Sequence, residues 1–206
     1  MINSNYMKKE RLGFHIVLLG QIASGKDTQA KLLEDKYNLV PVESGKHWRK
    51  VEKEDSSDGR WLRRTTALGK PAPVALMKKF LVQELKRKKL GTDLIFVGNP
   101  RLKPEAQLLK KLLTNIKENF FAIYITLPDK EIYRRSFSRA DKDKRSDDMK
   151  KNISNRIKWH KMQVSKSVNY FDSLGKLKKI NGNQSIEKVH GDIEKALSYF
   201  KKINDK

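Results

Sequence analysis

Gly20-Gln21-Ile22-Ala23-Ser24-Gly25-Lys26-Asp27-Thr28-Gln29 is the stretch on which the reading of this chain turns. The apolar run His15-Ile16-Val17-Leu18-Leu19 leads into it. A helical pattern leads out, with Ala30, Leu32 and Leu33 apolar and Lys31, Glu34 and Asp35 polar. Strand, glycine-bearing loop and helix in that order are the context a phosphate-binding loop needs, and Gly20, Gly25 and Lys26 fit the spacing G-x-x-x-x-G-K. Unpaired N–H groups at a helix N-terminus point at an anion, and the helix dipole favours it. Lys26 adds a mobile point charge for the outer phosphates. The residue after such a lysine is ordinarily Ser or Thr, whose hydroxyl ligates Mg²⁺. Here it is Asp27, with Thr28 one place later.

Outward from the loop, short β-rich runs alternate with helical patterns. The pattern predicts strands over 15–19, 39–42, 93–98, 121–127 and 177–181. It predicts helices over 26–37, 73–90, 104–119, 128–139, 147–170 and 185–201. A polar, basic stretch over 44–73, with a turn at Asp55-Ser56-Ser57-Asp58-Gly59, reads as small helices in an insertion rather than core. A charged gap is expected over 140–145. Alternation of this kind implies an α/β fold, a parallel sheet with helices on both faces. Ligands of such sheets bind at the carboxyl ends of the strands, which is where the loop sits.

At 206 residues one α/β domain with small insertions is the natural size. There are 46 Lys and Arg against 24 Asp and Glu, a formal charge of +22. That balance points to polyanionic partners, among them nucleotides and nucleic acid. The lysines are spread along the whole chain, so an ordinary solvated surface accounts for part of the excess. With no cysteine, disulfides, thiolate catalysis and Cys-based zinc sites are excluded. Residues 1–13 lack the apolar core of a secretory signal, and no apolar run is long enough to span a membrane. The expectation is a monomeric cytoplasmic protein without membrane contact. The histidines at 15, 47, 160 and 190 are not at metal-ligand spacing.

Further segments carry chemistry. Ser44-Gly45-Lys46-His47-Trp48-Arg49 follows the second predicted strand, and Gly98-Asn99-Pro100-Arg101 follows the third. Arg135 and Arg139 share a helix face, Arg145-Ser146-Asp147-Asp148 opens the long helix, and Arg156 lies further along it. Singly, each arginine reads as surface charge. Beside a phosphate loop they read as cations placed around transferring phosphoryl oxygens, which is most of what phosphoryl transfer asks of a protein.

These motifs together resemble the adenylate kinase and nucleoside monophosphate kinase family, from about Phe14 to the C-terminus. The family's loop G-x-P-G-x-G-K-G-T-Q is matched by Gly20 to Gln29. Its S-T-G-D-M-L-R is matched by Ser44 to Arg49 with Glu43 before them, and its G-K-L-V-P-D by Gly69-Lys70-Pro71-Ala72-Pro73-Val74. D-G-F-P-R is matched by Val97-Gly98-Asn99-Pro100-Arg101. The lid arginines fall on Arg135 and Arg139, and R-x-D-D with its later arginine on Arg145, Asp147, Asp148 and Arg156. The short interval from Arg139 to Arg145 resembles the family's short-lid form.

The resemblance implies a three-layer fold with a five-stranded parallel sheet, an acceptor-binding insertion at 44–73 and a short lid at 139–146. It implies ATP and Mg²⁺ as cofactors and transfer of the γ-phosphoryl group to a nucleoside monophosphate. AMP is the family default, with GMP or a pyrimidine monophosphate as alternatives. By resemblance, ATP is held by Gly20, Ala23, Ser24, Gly25, Lys26, Asp27, Thr28, Arg135 and Gln184. The acceptor is held by Ser44, Arg49, Ala72, Gly98, Arg101 and Glu105. Lys26, Arg101, Arg139, Arg145 and Arg156 surround the transferring group, and Asp147 and Asp148 anchor the lid. The departures are Val97 for the aspartate that orients Mg²⁺, Lys46 for another aspartate, Glu105 for the base-reading glutamine, and Ile22 and Ala23 within the loop. Asp27 is the candidate to take over metal work from position 97; otherwise it is a helix-start residue. The competing reading is a degenerate protein that binds nucleotide or RNA without turnover.

Overall fold

β1 (His15–Gly20) is buried from end to end and lies at the centre of a five-stranded sheet. The computed structural model of the chain describes residues 9–66, 71–143 and 150–204, apart from the side chains of 66, 139–143, 150–153 and 156. β3 (Asp93–Val97) and β4 (Phe120–Thr126) flank β1, and both run parallel to it. β2 (Leu39–Val42) pairs with β3, and β5 (Leu177–Asn181) with β4, giving the all-parallel order β2-β3-β1-β4-β5. A strand buried at every position suits a sheet covered on both faces.

The direction of each connection decides which face its helix covers, because parallel crossovers are right-handed. α1 (Lys26–Lys36) carries the chain from β1 out to β2. α4 (Val74–Arg87), α5 (Lys103–Asn115) and α7 (Lys150–Ser173) all travel the other way across the sheet and so lie on the opposite face. α8 (Ile186–Asn204) follows β5 and packs beside α1. Two cores result. Ile16, Leu18, Ile95 and Ile123 meet Leu33 of α1 and Ile193 and Phe200 of α8. Val17, Leu19, Leu94 and Phe96 meet Phe80 of α4, Leu109 of α5 and Phe171 of α7. Odd and even positions of the same strands thus feed different layers, as the strand period requires.

Between β2 and α4 stand α2 (Ser44–Val51) and α3 (Ser57–Thr66), which pack on each other. α6 (Asp129–Asp143) follows β4 and packs on α7. Ile22 of the loop joins Leu127, Ile132 and Ile157 in a small cluster beneath them.

Some boundaries differ from expectation. The predicted gap at 140–145 is helical through Asp143, because α6 runs a turn beyond residue 139. α5 stops at Asn115 rather than 119. Lys117 turns left-handed, at φ 57°, and Glu118 N–H bonds back to Leu113 O, closing the helix so that β4 can begin. The segment before β1 is also less peripheral than its composition suggests. Leu12 and Phe14 are buried, and the Asp93 carboxylate accepts the Leu12 and Gly13 amides at 3.1 and 3.0 Å.

Candidate active site

The loop from Gln21 to Gly25 joins β1 to α1 in a shape that leaves amides pointing outward. Gly25 caps α1 at φ 85°, a left-handed conformation that favours glycine, and no side chain caps the helix start. Ala23 is also left-handed, at φ 58°, where the family pattern has glycine. The family's backbone shape is therefore kept with a methyl group in it. Ser24 Oγ is buried without a hydrogen-bond partner among the described residues. An orphaned hydroxyl and uncapped amides beside a lysine are a chemical fit for phosphate oxygens, and hence for ATP. Gln21 braces the loop from behind, its side-chain carbonyl accepting Leu127 N–H.

Lys26 opens α1 and reaches across to the end of β3. A Cβ on Gly98 would stand 2.8 Å from Lys26 Cε, and Gly98 has φ 67°. The left-handed φ favours glycine there, and a Cβ would make the Lys26 side chain shift. Lys26 Nζ also lies 3.3 Å from Asp27 Oδ1, whose side chain is 64% exposed. Thr28 is exposed beside it. Val97, at the family's aspartate position, is 7% exposed and belongs to the apolar cluster with Ile16, Leu18 and Ile95. Position 97 thus supplies no carboxylate. Asp27 is the acidic side chain at the loop, and one carboxylate with substrate phosphates and waters is a normal Mg²⁺ environment.

The acceptor side is built by α2 and the segment after β3. His47 stacks on Phe80 with ring centroids 4.5 Å apart, and Trp48 tilts onto the same ring at 5.5 Å, which docks α2 on α4. This docking aims Arg49. From the Cβ direction of Gly45, Arg49 Nη1 is 3.5 Å away and Arg101 Nη2 is 3.9 Å away. Two guanidinium groups from different elements therefore converge over one glycine. Ser44 and Ala72 are both buried. Lys46, in place of the family's aspartate, is ion-paired to Glu43 at 2.5 Å.

Arg101 is positioned by backbone. Its Nε donates to Gly98 O at 3.1 Å. Glu105 Oε2 accepts its main-chain N–H at 2.8 Å and that of Leu102 at 3.2 Å. Glu105 is 1% exposed, and burial pushes its carboxyl above the ordinary range against the pull of those two amides. It thus first of all supplies the acceptor half of a capping box at the start of α5, taking the amide of the N-cap residue Leu102, whose own side chain has no acceptor. The local pattern holds a signal for this: an acidic residue follows Pro104 in the first turn. Asn99 carries no such signal. Its Nδ2 donates to Val42 O at 2.9 Å, tying the end of β2 to the end of β3, and its Oδ1 is buried and unpaired among the described residues. The Asn99–Pro100 peptide bond is cis.

On the far side, Arg135 Nε donates to Glu131 Oε1 at 2.6 Å, and its Nη2 lies 3.4 Å from Gly182 O. Gln184 Nε2 donates to Asn181 O and Asp192 Oδ2, both at 2.8 Å. These side chains flank the carboxyl end of β5. The structure thus gathers Lys26, Gly98, Arg101 and Arg49 in one direction from the loop, and places Arg135 by Gly182 in another. Arg139 and Arg156 lie on α6 and α7, but their side chains are outside the described residues, as are Arg145, Asp147 and Asp148 entirely.

Known proteins resemble this chain over most of its length. The family model described as adenylate kinase matches residues 18–176. An adenylate kinase of Azobacteroides pseudotrichonymphae is 29% identical, the match covering 91% of this chain and 99% of that protein. One of Methanothrix thermoacetophila is 26% identical over 90% of this chain and 99% of its own length. One of Leptospira biflexa is 26% identical over 88% and 98%. The family's reaction is ATP-dependent phosphoryl transfer with Mg²⁺. Since the family model covers most of the chain, from inside β1 to the start of β5, this protein is a member of the adenylate kinase family.

Proposed function

We propose that the chain transfers the γ-phosphoryl group of ATP to a nucleoside monophosphate, with AMP as the principal acceptor. Gly98 carries the reading. It touches Lys26 on one side and, through its carbonyl, Arg101 on the other. A donor-phosphate cation and an acceptor-phosphate cation are thereby held against one backbone unit. Such positioning is the main part of phosphoryl-transfer catalysis.

In this reading Lys26 and the α1 amides hold the outer phosphates of ATP, and Arg135 and the 182–184 backbone meet its adenine end. Arg49 and Arg101 hold the acceptor phosphate. Arg139, Arg145 and Arg156 complete the charge around the transferring group, with Asp147 and Asp148 anchoring their segment. The 44–73 insertion and the 139–146 lid close over the nucleotides and exclude water. Asp27 supplies the protein's oxygen to Mg²⁺. Glu105, with Oε2 held by two amides, offers a bound base only its other oxygen.

A coupled assay across AMP, GMP, CMP, UMP and dTMP tests the acceptor. The fastest turnover is expected with AMP; ADP formation with none of the five sinks the kinase reading. Asp27→Gly is expected to raise the Mg²⁺ concentration needed for half-maximal rate, and an unchanged requirement removes Asp27 from metal binding.

A further inference from the structure

We propose that the outer face of the α4–α5–α7 layer binds nucleic acid through its phosphodiester backbone, without reading sequence. The observation is an asymmetry that the chain order hides. α4, α5 and α7 together carry thirteen Lys and Arg against three carboxylates. One of the three, Glu105, is buried in the capping box. α1 and α8, on the opposite face, carry seven against six. Lys and Arg are about equally dense in the two layers; the shortage of carboxylates is what leaves one layer at a net +10 and the other at +1.

The charges on this face are available. Lys78, Lys79, Lys103, Lys111, Lys158 and Lys166 are exposed and form no ion pair among the described residues. The helices lie side by side, α5 touching both α4 and α7. Neighbouring helix axes are about 8–10 Å apart, so the face is roughly 20 Å wide. At 1.5 Å per residue the 24 residues of α7 make it about 36 Å long. A duplex presents one phosphate per ~1.7 Å of axis, so many phosphates fall within reach of that area. Lysine is a mobile point charge suited to phosphate, whereas bidentate base readout is the work of arginine, asparagine or glutamine. An anionic membrane is the poorer partner. Interfacial helices bury an apolar face in lipid, and here those faces are turned onto the sheet, through residues such as Phe80, Leu109 and Phe171.

The lysines exchanged in the test include none of the residues assigned to phosphoryl transfer, and its readout is binding, so the two stand or fall separately. Labelled RNA and DNA duplexes of about 20 base pairs, and the matching single strands, are titrated by fluorescence anisotropy between about 50 and 200 mM salt. The expected slope of log K against log salt is about −4 or steeper on duplex, with little dependence on sequence. Replacing Lys79, Lys111, Lys158 and Lys166 by Gln is expected to weaken binding about tenfold or more and to make the slope shallower by about 3. Replacing Lys31, Lys188, Lys195 and Lys202 on α1 and α8 by Gln removes the same charge and is expected to leave binding within about twofold. Equal weakening by both sets overturns the proposal, since the attraction is then diffuse. So does binding to phosphatidylserine vesicles with none to either nucleic acid. Should a quadruple variant fail to fold, lysine acetylation footprinting of the wild-type chain on duplex decides. Protection on α4, α5 and α7 but not on α8 supports the face; uniform or absent protection overturns it.

Discussion

In the proposed reading, Lys26 is the residue on which the chemistry depends most directly. It sits on the first turn of α1 at a loop whose amides are uncapped, so its removal takes away charge stabilisation rather than packing. Lys26→Ala is expected to lower kcat about 100- to 1,000-fold while leaving the thermal midpoint unchanged; wild-type turnover would falsify the assignment. Ala23 makes the opposite kind of case. Its φ of 58° puts an L-residue where about 1–2 kcal/mol is lost to the Cβ. Ala23→Gly relieves that and loses part of the gain to unfolded-state entropy. A net stabilisation of about 0.5–1 kcal/mol is expected in urea titration. Val97 marks where the family's metal chemistry has left. Val97→Asp would bury an unpaired carboxylate among Ile16, Leu18 and Ile95, at a cost of about 3–5 kcal/mol. Denaturation of the variant at constant Mg²⁺ measures it, and a cost near zero would mean the position is open to water or metal after all.

At the scale of elements, two joints hold the sheet in the shape the site needs. Gly98 is the joint between β3 and α1. Gly98→Ala pushes Lys26 aside and forces φ 67° on an L-residue. The expected result is a fall in kcat of about 10- to 100-fold with about 1–2 kcal/mol of lost stability. A stability loss without a kinetic one would show that Lys26 can relocate freely. His15 is the joint at the other end of β1. Its Nδ1 accepts Leu94 N–H at 2.9 Å, so Nε2 carries the proton and donates to Glu118 Oε2 at 2.6 Å. Burial lowers its pKa below the ordinary 6.5, outweighing the pull of Glu118. The folded state therefore favours neutral His15. The stability this provides is complete above about pH 6.5 and is lost as pH falls from there toward the depressed folded value. Urea midpoints are expected to drop between about pH 7.5 and 5.5 in the wild type and to drop less in His15→Gln. Parallel profiles would remove His15 as the cause.

For the whole molecule, the two nucleotide sites proposed above predict additive ligand stabilisation. A ligand at about a hundred times its Kd contributes about 2.7 kcal/mol. Thermal midpoints are expected to rise with a non-hydrolysable ATP analogue and again when AMP is added. Lys26→Ala should erase the first rise and Arg101→Ala the second. A single variant that erases both would mean the sites do not form independently. The same scale holds the charge asymmetry between the two helical layers, which belongs to no single element.

Local chemistry alone makes much of this protein legible in its amino-acid sequence. The spacing of Gly20, Gly25 and Lys26 after an apolar run, and the alternation of β and α periods, depend only on backbone geometry and burial over a few residues. They lead to the parallel sheet and the phosphate loop, and the spacing between arginine motifs leads to the family. What tertiary structure alone decided involves partners distant in the chain. Glu105 turns inward because the amides of Arg101 and Leu102 at the start of α5 need an acceptor. Val97 is buried against Ile16, Leu18 and Ile95 because its side of β3 faces the α1–α8 core. Asn99 ties β2 to β3 across an interval no motif spans. Charges that look evenly scattered along the chain leave one face far more positive because right-handed crossovers send α4, α5 and α7, the helices poor in carboxylates, to the same side of the sheet, a consequence of strand order rather than of residue spacing.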